Sequence, residues 1–349
     1  MATACIPQVT FEFHDKLKPV VARFDHAQAS TDGGVVLLKA LDDRLGMTDQ
    51  LAACLIDRRD PDKIRHSMRD LLRQRIFGLA CGYEDANDAA RLADDPLHKL
   101  AVGRDPVIGA ALASQPTLSR FEHAMSPRAL YRASRTLAAT VIAHHRARLN
   151  GRAQRITIDL DPTDDPTHGQ QELTFFNGHY DAWCYLPLVA TLTFNDEVEQ
   201  YLVAIVLRPG NSSAKRGASG LLRSLVRCLR RAFPEATLRV RVDGGFAGND
   251  WLEVLETQRV EYVVGVASNA RLVQRAGRLL GAAYGLSKYS GHTEHVYGDT
   301  LYAAGSWSRR RRVIIKAEVV RLPGRDPKCN PRFVVTNLRE TPATVYASY

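Results

Sequence analysis

The stretch Ile156-Thr157-Ile158-Asp159-Leu160-Asp161 alternates apolar residues with polar ones. A two-residue repeat is typical of a β-strand, because successive side chains point to opposite faces of a sheet. The three aliphatic side chains would face the core, whereas Asp159 and Asp161 would share the other face. The sequence therefore predicts a strand with one apolar face and one acidic face.

The residues after this strand predict a series of further elements. In chain order they are a strand near 183–192, a strand near 199–207, a helix over 213–232, a strand over 238–242, a helix over 249–258 and a strand over 262–266. Three antiparallel strands that lead into right-handed parallel crossovers are the element order of the ribonuclease-H-like fold. We therefore predict an α/β protein with such a mixed sheet, and we expect Trp183 and Trp251 in its core.

Acidic residues stand at the ends of two of these strands. Asp159 and Asp161 close the first strand, and Asp243 closes the strand over 238–242, ahead of a glycine turn. In a ribonuclease-H-like sheet the two strands are neighbours, so the acids can converge at one edge. A solvated acidic turn would explain Asp159 and Asp161 taken alone. An Asp that closes a buried parallel strand ahead of a glycine turn favours a functional site.

A pair of carboxylates at one sheet edge suits the cleavage and joining of DNA strands. That chemistry uses two Mg²⁺ ions, of which one activates a water or a 3′-hydroxyl and the other stabilises the leaving oxygen. Mg²⁺ prefers oxygen ligands and keeps several waters, so a few carboxylates suffice. We expect a two-metal site that contains Asp243 and either Asp161 or Asp159, which strand alternation cannot separate.

The residues from about 30 to 150 favour helices. Leu37, Leu38, Leu41 and Leu45 recur at steps of three and four residues, which is the spacing of one helix face. Further apolar residues at the same spacing follow along the region. We therefore predict an all-helical N-terminal region.

A turn within this region is a candidate DNA-reading element. Ser114 to Phe121 follows the end of one helical stretch, and Thr117 or Ser119 is placed to cap the next helix. Ser119 and Arg120 would then contact DNA, although an ordinary corner of a helical bundle explains the segment equally well.

These patterns divide the chain into three regions. We expect a helical N-terminal region over 1–150 that binds DNA ends, a ribonuclease-H-like catalytic core over 151–285, and a β-rich insertion after the fifth strand over 286–349. The insertion has candidate strands near 300–307, 313–321 and 333–337.

The composition is that of a basic globular protein. The net charge of +9 favours a polyanionic partner such as DNA, although a generic basic surface explains it equally well. The six cysteines form no Cys-x-x-Cys pair and have no His at zinc-ligand spacing, so we expect reduced, mostly buried thiols.

No apolar run approaches the length of about 18 residues that crosses a bilayer, and the first 20 residues lack the layout of a secretory signal. We expect a cytoplasmic protein.

A basic segment near the C-terminus is a second candidate DNA contact. Trp307 precedes Arg309, Arg310, Arg311 and Arg312, and this combination of aromatic and cationic side chains suits a phosphate backbone or a flipped base. A solvated hairpin tip would look the same. We favour DNA contact, with the positioning of phosphates as its role.

Seven pieces of the chain, in this order and spacing, carry a family pattern. They are Ile158–Thr163, His168–Glu172, Phe176–Tyr180, Tyr185–Leu188, Arg208–Asn211, Arg241–Phe246 and Phe333–Leu338. With them the chain resembles bacterial insertion-sequence transposases of the DDE type, the group 1 transposase DDE domain, from Phe24-Asp25 to its last residue.

The resemblance implies cut-and-paste DNA transposition. A protein of this kind binds the terminal inverted repeats of its element as a homodimer, cleaves a strand at each end with Mg²⁺, and joins the 3′-hydroxyls to target DNA. Asp161 matches the first family Asp and Asp243 the second, so the resemblance favours Asp161 over Asp159 as the first metal ligand.

The resemblance also implies a third acid that we do not find. The family Glu lies on a helix beyond the β-rich insertion, in a segment that starts with a Tyr, and the chain ends at Tyr346-Ala347-Ser348-Tyr349. Glu318 and Glu340 do not match the motif. We therefore expect a C-terminally truncated transposase with an incomplete two-metal site and impaired strand transfer. The alternatives are a catalytically inactive DNA-binding regulator or remnant of the parent element, and a nuclease of the same fold.

Overall fold

The computed structural model describes residues 30–349 and the backbone of two short strands, β1 (Val9–Phe11) and β2 (Val20–Ala22), which pair antiparallel. The segment Phe24-Asp25 lies outside the described residues. The chain divides into two compact units, Met1–Leu137 and Ala138–Tyr349. Within the described residues, no helix is long and apolar enough to cross a membrane.

Residues 30–137 of the first unit are helical, as the apolar spacing predicts. The strands β1 and β2 correct the prediction of an all-helical region over 1–150. Gly34 is the N-cap residue of α1 and has no side chain to cap it. The hydroxyl of Ser67 caps α3 by accepting a hydrogen bond from the backbone N–H of Asp70. The helices are α1 (Val35–Leu45), α2 (Met47–Ala52), α3 (Met68–Ala80), α4 (Ala89–Leu92), α5 (Pro96–Val102), α6 (Gln115–His123) and α7 (Pro127–Arg148), whose last turns belong to the second unit.

The buried face of α1 differs from the one that its leucines suggest. Leu37 and Leu41 are exposed, whereas Lys39 and Asp42 are buried. The reason is a polar network: Asp42 accepts hydrogen bonds from the backbone and the hydroxyl of Thr48. Because buried polar groups need such partners, their pairing cannot be read from apolar spacing.

The candidate DNA-reading turn is a helix, but its predicted caps are wrong. Ser114 is the N-cap residue of α6, and Thr117 and Ser119 lie inside the helix. Pro116 accounts for the earlier start, because proline fits the first helical turn, where its missing N–H is not needed. Arg120 is exposed and Ser119 is half-buried.

The second unit is built on one large mixed sheet, which confirms the predicted α/β class. Its strands are β3 (Arg155–Pro162), β4 (Asp165–Pro166), β5 (Phe175–Asn177), β6 (Ala182–Tyr185), β7 (Leu188–Phe194), β8 (Tyr201–Val206), β9 (Thr237–Val242), β10 (Glu261–Val266), β11 (Glu294–Tyr302), β12 (Arg311–Val320), β13 (Lys328–Cys329) and β14 (Arg332–Thr336). The helices are α8 (Ala218–Ala232), α9 (Asn249–Thr257), α10 (Ala270–Ser290) and α11 (Pro342–Ala347).

The strand order of the large sheet is β11-β12-β14-β10-β9-β3-β7-β8, with β13 paired to β12. Strands β3, β9 and β10 run parallel, whereas β7 and β8 continue the sheet antiparallel beyond β3. The strands after residue 286 extend the same sheet through β14, which pairs antiparallel with β10. The predicted boundary at 285/286 falls inside α10, a helix that the sequence analysis did not anticipate.

The predicted strand over 183–192 is two strands in different sheets. It breaks at Leu186-Pro187, and β6 joins β4 and β5 in a small separate sheet. Proline has no N–H to donate to a ladder, which explains the break. Trp183 on β6 is 59% exposed, so its predicted place in the core is wrong, whereas Trp251 is buried as predicted.

Candidate active site

Two carboxylates meet at one edge of the large sheet. Strands β3 and β9 are parallel neighbours, and their register pairs Leu160 with Val242. The next residue in each segment is an acid, Asp161 on β3 and Asp243 directly after β9, and both are exposed. Because the carboxyl ends of parallel strands open at the same sheet edge, the alternation in the sequence has brought two acids to one surface.

Burial and the charges of neighbouring acids change the pKa of Asp161. The pKa of Asp161 is raised, first by burial of its carboxyl group and then by the negative charges of Asp243 and Asp159. Like charges disfavour the ionised form of a carboxyl group. A cation bound between them would remove this penalty, so the site is electrostatically suited to one.

Asp159 forms an ion pair with Arg241. Its two carboxylate oxygens accept hydrogen bonds from Nε and Nη2 of Arg241 at 2.6 and 2.9 Å. The two residues are register partners on β3 and β9. Arg241 also donates to the carbonyl oxygen of Ser348. Asp159 and Asp161 thus share a strand face but differ in their partners.

The turn after Asp243 is tightly packed. A carboxylate oxygen of Asp243 accepts a hydrogen bond from the backbone N–H of Gly245 at 3.0 Å, at the start of a short 3₁₀ helix. A Cβ atom at Gly245 would lie 2.9 Å from the Cβ atom of Ala214. Glycine at this position therefore lets the loop that follows β8 pack closely against the turn. The sequence alone does not reveal this packing reason.

Arg208 holds that neighbouring loop in shape. Its buried guanidinium donates to the carbonyl oxygen of Leu186 at 2.8 Å. It also donates to three carbonyl oxygens of the loop itself, those of Ser213, Ala214 and Arg216, at 2.9–3.2 Å. The planar guanidinium carries several donors in fixed directions, which suits this role.

Two tyrosines surround the carboxylates, and the sequence analysis assigned a role to neither. The pKa of Tyr180 is raised, first by burial and then by the charges of the site, with Asp161 foremost. Its hydroxyl donates to the carbonyl oxygen of Pro162 at 3.2 Å. The pKa of Tyr349 is raised by burial and next by Asp243. The only signal in the sequence was that Tyr180 ends one of the seven family pieces.

The two other available glutamates lie in ion pairs elsewhere. Glu318 contacts Lys316 at 2.7 Å, and Glu340 lies 3.5 Å from Arg239. Across residues 30–349, no third Asp, Glu, His or Cys forms a three-donor group with Asp161 and Asp243.

The basic segment after Trp307 is divided between interior and surface. Trp307 is buried and donates its indole N–H to the carbonyl oxygen of Ala247 at 2.9 Å. Arg311 is buried beside Trp307 and pairs with Glu256.

The remaining arginines of this segment lie nearer the solvent. Arg312 pairs with Asp299 at 2.6 Å, and its side chain is 21% exposed. Arg309 and Arg310 are exposed, and Arg309 reaches Glu256. Of the five side chains predicted to contact DNA here, Arg309 and Arg310 therefore remain the accessible ones.

The donor set at the sheet edge fits a hard divalent cation. Asp161 and Asp243 are exposed residues, and carboxylate oxygens are the ligands that Mg²⁺ prefers. The repulsion between the two charges favours a bound cation. Asp159 is the less available ligand, because Arg241 already neutralises it.

Comparison with known proteins gives the family of the chain. The family model described as "Transposase DDE domain group 1" matches residues 13–349, nearly the whole chain. Among curated proteins, no match is found. The chain therefore belongs to the group 1 DDE-domain family of transposases.

Proposed function

We propose that this transposase chain binds the ends of an insertion sequence and cleaves and joins DNA strands there with divalent metal ions held by Asp161 and Asp243. The observation that carries the proposal is the place of these two carboxylates, at the ends of adjacent parallel strands. Mg²⁺ ions bound there would activate the attacking water or 3′-hydroxyl and stabilise the leaving oxygen.

We assign the five strands β8, β7, β3, β9 and β10 to a ribonuclease-H-like core. Their spatial order and directions support this assignment: β3, β7 and β8 are successively antiparallel, and β9 and β10 run parallel to β3. The helices α8 and α9 form the two crossovers. A core of this kind brings its acids to the edge at which β3 and β9 end.

The chain's own residues prepare the site in three ways. Arg241 neutralises Asp159, which leaves Asp161 as the free carboxylate of β3. Arg208 shapes the loop that packs against Gly245, and so holds the turn that carries Asp243. Tyr180 covers the strand end through its hydrogen bond to the carbonyl of Pro162.

DNA binding rests on the positive charge of the chain and on exposed arginines in both units. The net charge is +9, and cationic side chains neutralise phosphates whatever the base sequence. In the first unit the candidate contacts are Arg120 and Ser119 on α6, and in the second Arg309 and Arg310 before β12. We propose that they position phosphates, and that two copies of the chain act together on the paired ends.

The test is strand cleavage of a duplex that carries the ends of the insertion sequence encoding the chain. With Mg²⁺, Asp161→Asn and Asp243→Asn should each lower cleavage by about 100-fold or more, because several kcal/mol of charge stabilisation are lost. The matched control is Asp326→Asn, which removes an exposed acid from a loop of the same unit. Equal losses in the control would refute the assignment.

A second candidate function is DNA binding without strand transfer. It is favoured by the net charge of +9 and by the exposed arginines, which can neutralise phosphates whether or not a metal ion is bound. Phosphate contacts, and hence DNA affinity, do not depend on metal ions at Asp161 and Asp243. This function predicts salt-sensitive binding to the duplex and no product with Mg²⁺ or Mn²⁺, whereas robust turnover excludes it.

A further inference from the structure

A second group of metal-type ligands lies in the helical unit, apart from the carboxylates of the sheet. Asp32 precedes α1, Cys81 follows the last residue of α3, and His98 lies on α5. The carboxylate oxygen, the thiol sulfur and the imidazole nitrogen of these residues all lie within 4.8 Å of one another. Sequence spacing does not reveal this group, because its members are 49 and 17 positions apart along the chain.

The group is enclosed and already ordered by hydrogen bonds. The side chain of His98 is 1% exposed and that of Asp32 is 12% exposed. Nε2 of His98 lies 2.8 Å from Oδ2 of Asp32, and the hydroxyl of Tyr83 donates to the same oxygen at 2.9 Å. The Tyr83 ring also makes an edge contact with the imidazole of His98.

These contacts resemble the surroundings of a bound ion. Ligating carboxylates usually accept a hydrogen bond from a neighbouring group, as Asp32 does from Tyr83. A hydrogen bond between Asp32 and His98 alone would not need a thiol beside it, whereas a soft transition-metal ion would use all three donors.

The donor types and their spacing select zinc. Thiolate and imidazole ligands suit Zn²⁺ and exclude Mg²⁺ and Ca²⁺, which take oxygen ligands. Bond lengths of about 2.0–2.3 Å put two donors on one tetrahedral zinc about 3.3–3.8 Å apart. The present separations therefore need shifts of about an ångström or less to close on one ion.

We propose that Asp32, Cys81 and His98 form a zinc site that ties α1, α3 and α5 together in the helical unit. The ion would replace the proton shared by Asp32 and His98 and the proton of the Cys81 thiol. It would lie beside the small core that α1, α3 and α5 share, of which Val36, Phe77 and Leu100 are buried members and Cys81 a partly buried one. The site acts on stability and is independent of the proposed strand chemistry.

The experiment uses the full chain with Asp161→Ala and Asp243→Ala in the background, so that the sheet carboxylates bind no metal. After chelator treatment, Zn²⁺ titration should give one tight site per chain and raise the melting temperature of the helical unit. Co²⁺ should give a thiolate-to-cobalt charge-transfer band in the near ultraviolet, which carboxylates and imidazoles alone do not produce.

The matched pair of variants is Cys81→Ser and Cys54→Ser. Cys54 lies in the same unit, but its sulfur contacts the hydroxyl of Thr136 at 3.1 Å and is not part of the ligand group. Cys81→Ser should lose the cobalt band and weaken zinc binding by at least about 10-fold, because even residues that only hydrogen-bond to a metal ligand contribute about 10-fold or more. Cys54→Ser should retain both.

A third variant keeps the proposal testable if Cys81→Ser fails to fold. Asp32→Asn preserves the size of the side chain and can still accept the hydrogen bond of Tyr83. It should fold without metal and bind zinc at least about 10-fold more weakly. The proposal is overturned if the background protein binds no zinc, or if Cys81→Ser or Asp32→Asn binds it as tightly as the background protein.

Discussion

Asn substitutions at Asp159 and Asp161 should change stability in opposite directions. The two acids are two residues apart on one strand face, but Asp159 is paired with Arg241 and Asp161 is repelled by Asp243. Asp159→Asn removes an attraction, whereas Asp161→Asn removes a repulsion. The pair of variants thus separates a residue that supports the fold from the proposed metal ligand.

The cost of Asp159→Asn follows from the burial of its ion pair. The side chains of Asp159 and Arg241 are 17% and 29% exposed, between the fully exposed and the fully buried case. Exposed pairs contribute about 0.2–1 kcal/mol, and breaking a buried pair costs about 3–5 kcal/mol. Asn keeps one acceptor for the guanidinium, so we expect a loss of about 2 kcal/mol. For a unit of about 200 residues this lowers the melting temperature by roughly 4–8 °C.

The gain from Asp161→Asn follows from the direction of the pKa shift. Because the pKa of Asp161 in the folded chain is raised above 3.8, the folded state favours the protonated form. Stability is therefore lost as the pH rises through 3.8 and the higher folded pKa, and the full penalty applies at neutral pH. Asn removes the charge. Since Asp161 is exposed and screened by solvent, we expect a gain below about 1 kcal/mol.

The assay is denaturant unfolding at pH 7, first without metal and then with increasing Mg²⁺. Mg²⁺ should stabilise the wild type and Asp159→Asn by similar increments, because both retain Asp161 and Asp243. It should stabilise Asp161→Asn less. The reasoning is refuted if Asp159→Asn loses the response to Mg²⁺ while Asp161→Asn keeps it, since Asp159 would then be the ligand.

Three further predictions concern other parts of the chain. His145 is buried and stacked on Phe194, and burial lowers its pKa to about 4. As the pH falls from about 6.5 to 4 the unfolded chain takes up a proton that the folded chain does not, so about 3 kcal/mol of stability should be lost. His145→Phe should lack that loss, and a stability profile against pH like that of the wild type would contradict the assignment. Arg208→Lys should cost about 2–3 kcal/mol in denaturant unfolding, because lysine cannot reproduce the fork of hydrogen bonds to four carbonyls; an unchanged midpoint would show that the loop does not need the guanidinium. Arg310→Ala should weaken DNA binding and reduce the salt slope by about one, because Arg310 is exposed and one phosphate contact would be lost; a salt titration with an unchanged slope would show that Arg310 does not contact DNA.

The position of Asp161 and Asp243 at one sheet edge could be predicted from the sequence. Period-two alternation identified β3 and β9 and put an acid at the end of each, and parallel strands end at the same side of a sheet. Local patterns carry this information because strand type and face depend on neighbouring residues. The helical character of residues 30–150 was predictable for the same reason.

What local patterns could not decide was the pairing of polar side chains. Asp159 and Asp161 are equivalent by alternation, and only the register of β3 against β9 places Arg241 beside Asp159. In the same way, the tertiary fold buries Arg311 and leaves Arg310 exposed, although they are neighbours in one basic run.

The sequence by itself determined the class of the fold and the acids at the strand ends, because these depend on periodicity within single elements. Only the tertiary structure decided which acid stays free and which cysteine has metal-type neighbours. Cys81 meets Asp32 and His98 through the packing of separate helices, and contacts between residues distant in the chain leave no periodic trace in the sequence.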